Sequence, residues 1–185
     1  MTGPPRPSGR GFAVRDATVG DLSAITDIQN AFIATEAIEW TGVPHTLESR
    51  RDWFVQRTSL GYPILVAVEP GGVVIGFASF GDFRDAARWP GYRFTVEHTV
   101  HVRQDRWGSG VGSALLAALA ERAVLLDKHV LVAAIEAGNV GSIALHAKAG
   151  FVEVARMPQV GEKFGRWLDL VLMQRLLDEA PMPPA

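Results

Sequence analysis

An alternating strand pattern, Arg93 to Arg103, is followed by Gly108-Ser109-Gly110-Val111-Gly112-Ser113 and then by an alanine-rich helical pattern reaching about Asp127. Three glycines at alternate positions between a strand and a helix let the backbone turn tightly and approach a ligand closely. They also direct several free N–H groups, with the positive helix end, at one point. Such a strand, turn and helix point to a layered α/β domain. Taken alone, the turn is either an anion cradle or a plain connection. It is not a Walker loop, because no Gly-Lys-Ser/Thr follows, and it lacks the third Gly of the dinucleotide fingerprint.

The rest of the chain supplies the other layers. FAVRDA alternates as a strand, and Thr18 with Asp21 forms a capping-box pattern opening a helix to about Ala34, with Leu22, Ile25, Ile28 and Phe32 buried. A second helix starts at Thr46 and stops before Gly61-Tyr62-Pro63. PILVAVE and VVIGFASFGDF flank Pro70-Gly71-Gly72 as a hairpin from Pro63 to Phe83, and a loop from Arg84 to Tyr92 leads to the strand Arg93 to Arg103. HVLVAAIE is a strand covered on both faces, and a short helix from Val140 to Lys148 ends at Gly150. GFVEVARMPQV and RWLDLVLMQRL close the domain as two strands joined by a turn at Gly161 and Gly165. The order β-α-α-β-β-β-α-β-α-β-β is a mixed α/β layer and not a Rossmann alternation.

Prolines at 4, 5, 7, 181, 183 and 184 gather at the ends, so disordered tails are expected over 1–11 and 179–185, with a single domain over 12–178. A composition of 48% hydrophobic and 21% charged residues in 185 is that of an ordinary globular protein. The net charge of -2 gives no general attraction to nucleic acid or an anionic membrane. No apolar run reaches the roughly 18 residues that cross a bilayer, and a soluble cytoplasmic protein is expected. With no cysteine there is no disulfide framework, thiolate metal site or cysteine nucleophile, and no His/Asp/Glu cluster has zinc spacing, so no metal is expected.

The glycine turn, together with Asn139, Ser142 and His146 ahead of Gly150-Phe151, is similar to the two halves of the GCN5-related N-acetyltransferase (GNAT) pattern. TVEHTVHV, VVIGFASFGDFR, the Ala134 to Phe151 stretch and MPQVGEKFGRWLDLVLMQ resemble its phosphinothricin and methionine sulfoximine acetyltransferase branch, and the likeness spans Phe12 to Leu177. The resemblance implies a single-domain fold with a mixed, mostly antiparallel seven-stranded sheet and helices on both faces. Two central parallel strands, here Phe94 to Arg103 and His129 to Glu136, would splay to admit the pantetheine arm of acetyl-CoA. It further implies acetylation of the α-amino group of a small amino acid such as methionine sulfoximine, methionine sulfone or phosphinothricin, by a homodimer.

Residue by residue, the resemblance gives Val100, His101 and Val102 to the arm, with an amide near Val100 for the oxyanion. Gly108, Ser109, Gly110, Val111, Gly112 and Ser113 would cradle the pyrophosphate, and Asn139 and Lys148 would add side-chain contacts to the cofactor. Two positions depart from the pattern. Trp107 stands where the turn usually opens with Arg or Gln, with Arg106 one place earlier, and His101 stands where the branch has Tyr.

An amine attacks only when neutral, so a base must take its proton. Alternation places Thr95, Glu97, Thr99 and His101 on one side of their strand, which reads as the wall of a wet cleft. Glu97 is the candidate base under the resemblance, and an ordinary half-exposed strand Glu on composition alone. His146, seven residues after Asn139 where many family members carry Tyr, is either the acid for the departing thiolate or a packed helix residue. Asn139 reads equally as a helix N-cap, and His98, on the apolar side, as structural. For an acceptor carboxylate, Arg84 and Arg93 are expected to act jointly beside Tyr92; Lys163, Arg166 and Trp167 in the closing hairpin are further candidates. Without cysteine, transfer would be direct. Acetylation of a protein terminus or lysine, and acyl-CoA binding without catalysis, are the alternatives.

Overall fold

The computed structural model describes residues 6–7 and 11–178. The first alternating pattern becomes β2 (Ala13–Asp16), and its outer edge takes a two-residue strand, β1 (Arg6–Pro7). A proline is tolerated there because an edge residue can do without a ladder donor. The rest of both expected tails, Gly11 apart, lies outside the described residues. Thr18 and Asp21 form the capping box, which closes a 3-10 turn, Val19–Asp21, running into α1 (Leu22–Ile33). Arg15 grips the Asp21 carboxylate with two nitrogens at 2.8 Å each, which holds that carboxyl at about 2. α2 (Leu47–Ser59) is capped by Thr46, whose hydroxyl accepts the Ser49 N–H at 3.1 Å.

The hairpin of β3 (Ile64–Val68) and β4 (Val74–Asp82) leads by way of a loop to β5 (Thr95–Val102). α3 (Val111–Leu125), β6 (Val130–Glu136), α4 (Val140–Lys148), β7 (Val152–Lys163) and β8 (Arg166–Leu176) complete the chain. Sheet order is β1-β2-β3-β4-β5-β6-β8-β7. All neighbours are antiparallel except β5 and β6, so the expected mixed, mostly antiparallel sheet with a parallel centre is present, enlarged by β1.

Alternation along β3 divides the core. Ile64 and Val66 pack with Leu22, Ile25, Ile28 and Phe32 of α1, whereas Leu65 and Ala67 pack with Leu115, Leu119 and Ala123 of α3 on the other face. Each large side chain so buried contributes roughly 1.5–3 kcal/mol. Gly76 lets α3 lie this close, since a Cβ there would come within 2.9 Å of the His101 carbonyl and 3.2 Å of Leu115. The closing turn differs from expectation. Phe164 (φ 55) and Gly165 (φ 71) make it, while Gly161 lies within β7 because the Trp40 ring occupies the space a side chain would need.

Candidate active site

The parallel pair holds its register only from Thr95↔Val130 to Glu97↔Val132 and then parts, while β6 stays paired with β8 through Glu136. Arg103 N–H bonds the Ile75 carbonyl of β4 at 3.0 Å. By alternation, odd-numbered residues of β5 serve β4, and the peptide groups of Val100 and Val102 face the gap. A cavity of about 80 Å³ opens there, lined by Thr99, Val100, Ala134, Glu136 and Asn139 among others.

Beside it lies the glycine turn. Gly108 (φ 75) and Gly110 (φ 87) take conformations that favour glycine, and Gly110 caps the fifteen-residue α3. The first bond of that helix runs from Ala114 N–H to the Gly110 carbonyl at 3.1 Å, so the amides of Val111, Gly112 and Ser113 precede its ladder. Gly112 admits α4, because a Cβ there would sit 3.0 Å from Leu145. Trp107 braces the turn, with its indole N–H donating to the Val102 carbonyl at 2.9 Å and its ring stacked 6.1 Å from Phe32. Arg106 is held by Glu69 at 2.7 Å and Asp105 at 2.8 Å. The cradle is therefore a backbone device, and it suits a diphosphate.

Glu97 is half-buried on β5, opposite Gly81 of β4. Burial raises its pKa, and the charges of Arg84 and Arg57 pull it back. Its side of the strand faces α1 and α2 and is not uniformly wet. His101, two rungs past Thr99, is buried between Phe32 and Phe77 with ring centroids at 5.6 and 5.2 Å, and its Nε2 meets the Glu39 carboxylate at 2.9 Å. The side chain of His101 is thus held on the α1 side, where it and Glu39 belong to the lining of the same cavity.

Of the other expected residues, Asn139 caps α4 by accepting the Ser142 N–H at 3.0 Å while also lining the cavity, and Lys148 ends α4 exposed. His146 is buried with both ring nitrogens engaged, Nδ1 with the Ser142 carbonyl at 2.7 Å and Nε2 with His98 Nε2 at 2.9 Å. His146 and His98 also belong to the lining of the cavity. Arg84 and Tyr92 meet over Phe83, at 5.4 and 6.0 Å from its ring centre. Arg93 turns instead onto Phe94 at 4.2 Å and donates to the Pro90 carbonyl at 3.3 Å. Lys163 is buried and bonds the carbonyls of Glu36 and Glu39, so it ties the closing hairpin to the segment after α1. Sequence reasoning missed Arg57 and Glu39; Glu39 meets His101 of β5 and Arg57 lies over Gly81 of β4, both far away in the chain, and only the Gly81 in mid-strand hinted at a side chain crossing there.

A gap with free backbone groups, an amide cradle at its mouth and a carboxylate where the strands part can hold a long carrier with a diphosphate end and take a proton from a neighbouring amine. Residues 25–151 match the Acetyltransferase (GNAT) family. The chain is 49% identical over 172 residues, 93% of its length and 98% of the relative's, to an L-methionine sulfoximine/L-methionine sulfone acetyltransferase of Pseudomonas paraeruginosa. It is 37% identical, over 89% of its length and 82% of the relative's, to a phosphinothricin N-acetyltransferase of Alcaligenes faecalis. A Salmonella typhimurium protein solved with its cofactor acetyl-CoA superposes with a TM-score of 0.90 at 46% identity, covering 95% of this chain and 99% of that one. The chain belongs to the GNAT family of acetyltransferases.

Proposed function

We propose that this acetyltransferase moves the acetyl group of acetyl-CoA directly to the α-amino group of a small amino acid of the methionine sulfoximine, methionine sulfone or phosphinothricin type. The observation that carries the reading is the position of Glu97 at the last paired rung before the gap, next to free backbone groups on Val100 and Val102. Likeness to relatives named for these substrates supports the acceptor class.

In this reading the diphosphate of acetyl-CoA rests on the amides from Gly108 to Ser113, and Asn139 and Lys148 contact the carrier from α4. Val100 and Val102 bond the arm as an added strand would. Glu97 accepts the proton of the incoming ammonium, directly or through one water, and the basicity that burial gives it suits this task. Arg84, Tyr92 and Arg93 hold the acceptor from the loop side, and His146 supports the floor of the gap through His98. With no cysteine in the chain, no thioester to the protein precedes transfer.

The same reading has the enzyme working in the cytoplasm as a homodimer. No helix of the described residues is long and apolar enough to cross a membrane. Phe164, in the turn between β7 and β8, and Trp167 beside it are exposed and supply an apolar patch for a second copy. Thiol release from acetyl-CoA, followed over a panel of methionine sulfone, methionine sulfoximine, phosphinothricin, ordinary amino acids and basic peptides, tests the function. Turnover confined to peptides, or binding of acetyl-CoA without turnover of any acceptor, would overturn it.

A further inference from the structure

Arg57 is the one long cation that α2 sends onto the sheet beside Glu97. Its guanidinium occupies the space above Gly81 where a side chain of β4 would otherwise stand, and a Cβ at that position would overlap it. Gly81 and Glu97 are direct partners across the antiparallel pair, so their side-chain positions are about 5 Å apart and on one face. The guanidinium is therefore held within reach of anything bound at Glu97.

What Arg57 lacks is a hydrogen-bonded partner, although the charges of Asp82 and Glu97 act on it. Its Nε is buried without a hydrogen bond, and no carboxylate among the described residues forms an ion pair with it. The nearest alternative, Asp82, is turned to the Tyr62 hydroxyl. Arg84 stands on the next turn of chain after β4, stacked over Phe83 and likewise without an ion pair. Two guanidinium groups thus act on Glu97, with Asp82 also near Arg57 but engaged by Tyr62, and neither guanidinium is hydrogen-bonded to a carboxylate among the described residues. Buried or half-buried arginine is rarely left so unless a ligand completes it.

We infer that Arg57 and Arg84 together form a carboxylate-binding clamp beside Glu97, which restricts the acceptor to free amino acids. This rests on the acceptor reading above and assigns its carboxylate to a definite place. An α-carboxylate docked on the N–H edge of Arg57 takes up its unused donors, and the adjacent α-amino group then lies toward Glu97. A planar fork meets a carboxylate through two parallel N–H bonds, which a lysine at position 57 cannot do. Peptide termini and lysine side chains carry no carboxylate at this spacing, so the clamp excludes them.

The test compares L-methionine sulfone with its α-carboxamide in the wild type, Arg57→Lys and Gly81→Ala, with the KM for acetyl-CoA recorded in each. Gly81→Ala displaces the guanidinium without touching the acceptor. We expect the wild type to favour the acid strongly, and both variants to raise its KM by about 30-fold or more, as loss of a charge-assisted pair does. The carboxamide and acetyl-CoA parameters should stay near wild type, which also certifies an intact fold. Equal loss on acid and carboxamide, or a shift only in kcat and its pH profile, would make Arg57 a support for Glu97 and overturn the clamp. If wild-type enzyme acetylates both compounds equally well, the clamp fails alone; if it acetylates neither, the acceptor reading fails with it.

Discussion

His98 of β5 and His146 of α4 meet Nε2 to Nε2 at 2.9 Å beneath the gap, joining the floor of the sheet to the helix that follows Asn139. His146 donates its Nδ1–H to the Ser142 carbonyl, so a single proton on His98 Nε2 completes the contact with both rings neutral. Burial pushes His98 down to about 3 and lowers His146 as well. The unfolded chain binds protons at these rings below about pH 6.5, where the folded one does not. Stability is therefore whole above that pH and declines as pH falls toward 3, by up to about 1.4 kcal/mol per pH unit for His98. Urea unfolding at pH 7.5, 6.5 and 5.5 should record the slope, and His98→Gln should flatten it. A wild-type stability unchanged from pH 7.5 to 5.5 would sink the assignment.

Replacing Glu97 by Gln removes the proton acceptor and keeps the shape. Turnover should fall about 10²- to 10⁴-fold near neutrality, while calorimetric affinity for acetyl-CoA stays put. Because burial lifts this carboxyl above its ordinary range, the acid limb of the wild-type kcat/KM profile should be displaced upward and should vanish in the variant. Near-normal rates would remove Glu97 from the chemistry.

Gly110 holds the cradle at a φ of 87°. Gly110→Ala strains that turn by roughly 1–2 kcal/mol, so coenzyme A binding should weaken about tenfold while the KM for the acceptor is preserved. Titration calorimetry with coenzyme A alone reads this directly. Unaltered affinity would mean the diphosphate does not rest there.

At Gly161 the expected loss is of another kind. A methyl group there would strike the Trp40 ring, so Gly161→Ala should reduce thermal stability by about 1–3 kcal/mol, and Trp40→Ala combined with it should recover part of the loss. Strict additivity of the two would show that the ring and the strand do not press on one another.

The strands of this sheet are legible in their residues because period-two patterns such as Thr95 to Val102 report local geometry. That pattern also placed Glu97 and His98 on opposite faces, and the Thr18 to Asp21 capping box was a local signal. The misplaced closing turn has a physical reason. A glycine in a strand reads as a break when its cause, the Trp40 ring, comes from a loop far away in the chain. His101 was expected on a wet face, yet the Phe32 and Phe77 rings that dry it belong to α1 and β4. Arg57 sat unnoticed in a charged helix because its meaning depends on an absent side chain at Gly81. Long-range pairings of this sort leave no period to read.

The parallel ladder closes on the rung Glu97↔Val132 and opens immediately beyond it. Proton acceptor and doorway are thus parts of one joint, and the distance between them is a backbone register that no rotamer change can alter. Reaction geometry is carried by the sheet, whereas the acceptor is met by side chains from α2 and the loop after β4. Such an enzyme can be retargeted to new amines by exchanging those outer residues, with the alignment of donor and base inherited intact.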